Sequence, residues 1–326
     1  MNYGKIIHDA WNLTTKCSKL KWLCFIPSFA AVLVFVLEIG WQGSLIIEEF
    51  QLFGIEGHFV YSKIGHFLSF LSQHHLLGWA IFAAVFIILF EFVFPSWISS
   101  ATILAIRQGF SEPEKYVSLR QKLIEGSSHF FELFELHAFF SPFAMMTIAF
   151  FGVTMFRYYH GDIFSSIMLP VLIVYSLISL FLNVFIAFAP FFIVCEKRGI
   201  GEAVKRSIGL VFVNFGSTMT IILLMFLVNL RVIVNVLVVI GVPFGILFAV
   251  SFFAKSNWLS FAVVGAVLVG VVILALTAYL TAILEVFSTA VWERAFTILR
   301  IKEETLQTHA LSPEEALTPQ NDEEIA

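Results

Sequence analysis

Glu91 is the sole charged residue in the otherwise apolar run Leu76–Ile106. On a helix rising about 1.5 Å per residue it lies about 22 Å beyond Leu76. A carboxylate that deep in an apolar medium must face a packed interior, hold a proton or meet a cation. Pro95 follows four residues later and has no N–H, so the Glu91 carbonyl loses its helical donor. An acid and a freed carbonyl thus share one turn, and Ser99 and Thr102 continue that face. This set suits a cation or proton site; a buried contact that fixes helix packing is the competing reading.

Two further stripes carry polar atoms. Thr277, Thr281, Glu285 and Ser288 recur at i, i+4, i+8 and i+11, within about 80° of one another on a helix. Asn183 shares a face with Ser176 and Ser179. Such stripes either line an aqueous path or hydrogen-bond a neighbouring helix, at about 0.6 kcal/mol per contact.

His58, His66, His74 and His75 with Glu48, Glu49 and Glu56 offer imidazole and carboxylate groups. Their spacing fits no compact metal motif, so neither metal nor cofactor is expected. Cys17, Cys24 and Cys195 form no CxxC pair and read as unpaired packing residues. Nucleophile elbow, phosphate-binding glycine loop and metalloprotease helix are all missing from the sequence, and no catalytic residue is assigned.

The elements that must position these groups follow from composition. Hydrophobic residues make up 59% of the 326 and charged residues 13%, with mean hydropathy +0.92. So few charges cannot cover a water-solvated surface, which leaves an all-α polytopic membrane bundle. A bilayer core about 30 Å thick needs about 20 apolar residues of helix. Six spans are predicted, at about 22–40, 76–106, 136–156, 163–194, 208–230 and 258–285. The first reads as a retained helix, not a cleaved signal. The runs are continuous, unlike the alternation of a transmembrane barrel.

Basic residues set the orientation. Fifteen of the 19 cluster before span 1, after spans 2 and 4 and after span 6, against Lys63, Arg157, Arg231 and Lys255 in the alternate loops. This asymmetry puts both termini in the cytoplasm. A seventh crossing at 232–254 would reverse the last cluster, so that stretch reads as re-entrant or interfacial, broken near Gly241-Val242-Pro243. Residues 1–302 form the membrane domain, with 16 acids against the 19 basic residues. Residues 303–326 hold seven acids and no Lys or Arg. They are expected to be a disordered acidic tail that solvates the terminus or docks a protein partner.

Each basic cluster also looks like an amphipathic elbow leading into the next span: residues 4–22, 116–130 and 201–208. Its apolar side would lie at the headgroup boundary. Lys16, Lys19, Lys21, Arg120, Lys122, Lys197, Arg198, Lys205 and Arg206 would meet anionic headgroups of membrane lipids. These short clusters beside apolar spans do not point to nucleic acid. The pattern suggests three hairpins, of spans 1–2, 3–4 and 5–6.

One stretch carries a resemblance. Pro190-Phe191-Phe192-Ile193-Val194-Cys195-Glu196-Lys197-Arg198-Gly199-Ile200-Gly201-Glu202-Ala203-Val204-Lys205-Arg206-Ser207, followed by Val213-Asn214-Phe215, resembles a motif of bacterial six-span proteins. They are related to the membrane domain of glycerophosphoryl diester phosphodiesterase and include YciC-like inner-membrane proteins. The resemblance implies a protein of the bacterial cytoplasmic membrane. It does not imply the phosphodiesterase reaction, because the soluble barrel domain that performs it has no counterpart in this chain. The expectation is therefore a non-enzymatic integral membrane protein in envelope organisation or as an accessory subunit; the alternative is a small-solute or ion transporter centred on Glu91.

Overall fold

The computed structural model describes residues 2–49, 76–112, 118–158, 164–228 and 259–311, with Gly65, Ser69, Ser72 and Gln73. Every regular element among them is helical. They are α1 (Tyr3–Lys16), α2 (Ser18–Glu49), α3 (Leu77–Ser111), α4 (Leu119–Ser127), α5 (Phe130–Phe140), α6 (Met145–Tyr158), α7 (Leu169–Ile186), α8 (Ala189–Glu196), α9 (Ile200–Val213), α10 (Phe215–Val228) and α11 (Leu259–Leu311). The stretch 232–254, the four loop histidines, the Glu91 side chain and residues 312–326 lie outside the described residues.

Four helical stretches are long and apolar enough to cross a membrane: Ser18–Val36, Phe130–Phe156, Ser166–Glu196 and Leu268–Thr305. A fifth arises if α9 and α10, bent by 99°, count as one span. The expected second span lies on α3, whose 35 residues run through Pro95 and extend about 52 Å at 1.5 Å per residue.

Several boundaries move. The expected third span is broken by the 3-10 turn Ser141–Phe143, where Pro142 supplies no N–H to continue the ladder. The fourth breaks between Ile186 and Ala189, and Pro190 starts the new helix at a position that needs no donor. The third elbow helix runs on to Val213, and the chain bends there, not near 208, before α10 begins at Phe215. The last helix continues past 285 for a total of 53 residues. It carries residues 303–311, placed above in the tail, as ordered helix. Arg300 supports that extension through Glu303 at 2.9 Å and Glu304 at 3.3 Å, i+3 and i+4 partners.

Packing is concentrated at the end of the bundle that carries the basic clusters. Leu20, Cys24, Ile98, Ile103, Ile106, Phe188, Phe192, Ile193, Leu210, Val286, Val291 and Leu299 are buried there. Farther along the same helices apolar side chains are exposed, as at Trp79, Phe82, Val171, Leu268 and Val272. The most extensive packing joins α2 to α11, a first-to-last pairing that three successive hairpins do not anticipate. Ala278, Ala282 and Ala290 are fully buried on α11, and small residues let helices approach closely.

α1 corrects the expected headgroup-facing elbow. Asn2 caps it by accepting from the Lys5 N–H at 3.1 Å. Its apolar face, Ile6, Ala10 and Leu13, is buried and the helix packs on α11. Trp11 meets Phe287 edge to face at 5.9 Å. The 3.6-residue period was read correctly, but a protein surface covers that face. The same holds for Ala203, Leu210 and Val211 on α9.

Candidate functional site

The polar side chains form three clusters, each at a helix junction. The first repairs the break in the Phe130–Phe156 stretch. A broken helix leaves carbonyls without donors, and in an apolar medium each needs a replacement. Thr147 Oγ1 donates to the Ser141 carbonyl at 3.0 Å, and Tyr175 Oη to that of Pro142 at 2.9 Å. The Phe143 carbonyl accepts from Asn183 Nδ2 at 2.8 Å and from Ser179 Oγ. Tyr175, Ser179 and Asn183 recur every four residues, so one face of α7 serves two consecutive carbonyls of its neighbour. Ser176, two turns from Asn183 on the same side, bonds its own helix at the Leu172 carbonyl, 2.7 Å away.

The second cluster lies along α2. Cys24 Sγ is 3.5 Å from Thr102 Oγ1 on α3, and both residues are buried. One turn on, Ser28 Oγ donates to Glu285 Oε2 on α11 at 3.1 Å. Thr102 and Glu285 are thereby held on one face of α2. Thr277, Thr281 and Thr289 hydroxyls donate to the carbonyls of Ile273, Thr277 and Glu285, each four residues earlier, at 2.8–2.9 Å. Ser99 is half-buried. Ser96 and His137 Nδ1 lie 3.1 Å apart and tie α3 to α5.

The third cluster occupies the motif Pro190–Phe215, and nearly every polar position in it has a structural duty. Ser207 Oγ donates to the Phe185 carbonyl at 2.6 Å and accepts from the Phe188 N–H at 3.2 Å, closing the break between α7 and α8. Lys197 ends α8 in the left-handed region, φ 55°, and the Arg198 N–H returns to the Phe192 carbonyl at 3.3 Å. A left-handed residue at a helix end is a position where glycine is usual. Glu196 then binds three arginines: Arg300 Nε at 2.8 Å, Arg206 Nη1 at 3.6 Å and Arg198 Nε at 3.8 Å. Glu202 takes Arg198 at 3.0 Å and Arg206 at 3.2 Å. Lys302 Nζ donates to Asn214 Oδ1 at 3.3 Å, across the bend. Arg294 pairs with Asp9 at 3.3 Å and links α11 to α1.

The residues expected at lipid headgroups therefore divide. Lys16, Lys19, Arg120, Lys197 and Lys205 are exposed. Arg198 and Arg206 are held by glutamates, Lys122 by Glu125 at 2.7 Å, and Lys21 donates to the Thr15 carbonyl at 3.4 Å. Between α1 and α2, burial pushes the Cys17 thiol above its ordinary value, against the weaker pull of Lys21 and Lys16. Among the described residues no group of His, Cys, Asp and Glu side chains is placed to hold a metal ion.

Sequence reasoning missed Ser28, Tyr175, Glu196, Ser207 and Glu293. Glu293 is 2% exposed on α11, with Oε1 accepting from Thr297 at 3.1 Å. Pro142 was the available signal for Tyr175: a proline inside an apolar run requires donors on the adjoining helix. The buried position of Glu293 had no signal, since it depends on how helices distant in sequence pack against α11. Comparison with family models, curated proteins and solved structures finds no match.

Proposed function

We propose that this chain is a non-enzymatic integral membrane protein of the bacterial cytoplasmic membrane, acting in envelope organisation or as an accessory subunit. In this reading six helices cross the bilayer: the four apolar stretches, α3, and α10 after its bend. Both termini face the cytoplasm, and the exposed Lys16, Lys19, Arg120, Lys197 and Lys205 meet anionic headgroups. The motif resemblance to the six-span proteins agrees with this placement.

One observation carries the non-enzymatic part. Polar groups that would line a catalytic or conducting cavity are engaged with protein backbone or with one another, as Asn183 and Ser179 are on the Phe143 carbonyl. Polar contacts of this kind hold helices in register. The test is co-purification from native membranes. A partner should accompany the chain in fixed ratio and be lost when residues 312–326 are removed; isolation as a lone protein would sink the accessory role.

A transporter is the second reading, favoured by the passage of α3 through Pro95, which leaves the Glu91 carbonyl without a helical donor. Purified protein in liposomes decides between them. Proton or cation flux abolished by Glu91→Gln, with the fold retained, would establish transport in place of the structural role.

A further inference from the structure

Beside the Glu196 hub, α8, α9 and α11 enclose an open cleft of ≈ 340 Å³, lined by Phe192, Arg206, Gly209, Arg300, Glu303 and Glu304. This is at the small end of the range for ligand clefts, about 300–1,000 Å³. Arg206 and Gly209 are three residues apart on one face of α9. Arg300, Glu303 and Glu304 share a face of α11. The floor is Phe192, 1% exposed, and a Cβ at Gly209 would meet nothing within 4 Å, so that wall is low and open.

Two guanidinium groups and two carboxylates line the cleft; Arg300 pairs with Glu303 at 2.9 Å and Glu304 at 3.3 Å, and Glu196 beside it holds both arginines. An anion alone would find the acids repulsive, and a cation alone the arginines. A small zwitterion carrying phosphate and primary ammonium matches both pairs. Arginine suits the phosphate because its planar donors fit phosphate oxygens. The guanidinium groups keep N–H donors beyond those used on glutamate, since each carries five. We infer that this cleft binds a phosphoethanolamine group, with phosphate toward Arg206 and Arg300 and ammonium toward Glu303 and Glu304. Because the basic end of the bundle faces the inner leaflet in the function proposed above, the lipid source is phosphatidylethanolamine, and that part rests on the membrane reading.

The full chain in nanodiscs, studied by native mass spectrometry, provides the test. Three probes are used: phosphatidylethanolamine, phosphatidylglycerol and soluble phosphoethanolamine. Retention of phosphatidylethanolamine about tenfold over phosphatidylglycerol is expected, the ratio that one charge-assisted contact supplies. Glu303→Gln with Glu304→Gln should erase that preference while leaving phosphate-dependent binding; Arg206→Gln should weaken both lipids. Glu304 is 62% exposed, so Glu304→Gln alone reports on the cleft if the double variant does not fold. Equal retention of the two lipids, or a preference unchanged by these variants, overturns the assignment. Failure to enter nanodiscs would count against the membrane reading instead. Soluble phosphoethanolamine still tests the cleft in that event: binding lost in Arg206→Gln supports it, and no binding overturns it.

Discussion

Gly126→Ala tests whether α4 is seated against α3 as tightly as the geometry states. A Cβ at Gly126 would lie 2.6 Å from Ser100 Oγ, 2.9 Å from Ala101 N and 3.1 Å from Ala101 Cα. Ordinary non-bonded contacts are about 3.5–4.0 Å, and two of these atoms are backbone, so the helices must separate. Overpacking of this kind costs about 1–3 kcal/mol. Separation also stretches two bonds between the elements, Ser100 Oγ to the Gly126 carbonyl at 2.8 Å and Trp97 Nε1 to the Leu123 carbonyl at 3.1 Å. Each is worth about 1 kcal/mol net. Alanine returns about 0.5–1 kcal/mol of helix propensity. The expected loss is about 2–3 kcal/mol, read by reversible denaturant titration in mixed micelles with circular dichroism. Gly209→Ala is the control: nothing lies within 4 Å of its Cβ, so it should stabilise by about 0.5–1 kcal/mol. A Gly126→Ala loss below about 0.5 kcal/mol would refute the close approach.

Asn183→Leu removes the donor to the Phe143 carbonyl but leaves Ser179 in place, so a loss of about 1 kcal/mol is expected in the same titration. No change would mean that the break needs no second donor. Lys197→Gly relieves a left-handed lysine, φ 55°; after the larger unfolded-state entropy of glycine, a gain of about 0.5–1 kcal/mol is expected. Destabilisation would show that the lysine side chain outweighs its strained backbone. Burial raises the Cys17 pKa in the folded chain, so the neutral thiol is favoured and stability falls as pH rises above the unfolded thiol value. Alkylation of Cys17, followed by peptide mapping, should be half-maximal at higher pH in the folded chain than in the unfolded one. Lys21→Met should move that midpoint higher still; a downward shift would refute the assigned cause.

The helices were legible because lipid and local geometry act on contiguous residues. Hydropathy located the central parts of α2, α3 and α7, though not their ends, and the period of Ile6, Ala10 and Leu13 identified α1 as amphipathic. What covers an amphipathic face was not legible. Headgroups and a protein surface impose the same pattern, and the α11 partner of Asp9 is Arg294, 285 residues away. Reading charge as the end of a span placed the boundary at Glu285, whereas α11 continues because α1 packs along it. The site followed the same division. Thr102, Asn183 and Glu285 were recognised as polar groups in apolar runs, but their partners Cys24, Phe143 and Ser28 come from other helices. The Phe143 partner is a backbone carbonyl, which no side-chain pattern displays.

The location of the core explains why the motif Pro190–Phe215 is dense in polar residues. Between lipid-solvated helices, apolar burial gives little driving force, because the tails are as apolar as leucine. Packing and hydrogen bonds must then set the arrangement, and they act most where chains bend. The bends at Phe188, Lys197 and Asn214 all lie near the basic end, beside the buried Phe192, Leu210 and Leu299. At the first bend Ser207 serves freed backbone groups, at the second the Phe192 carbonyl accepts from the Arg198 N–H, and at the third Lys302 holds the Asn214 side chain. Glu196 then joins α8, α9 and α11 through its arginines. The exposed apolar faces at Val171–Phe181 and Leu268–Leu276 have no comparable demand. The motif is therefore a joint that fixes three helix directions, and its charges act first on the chain itself.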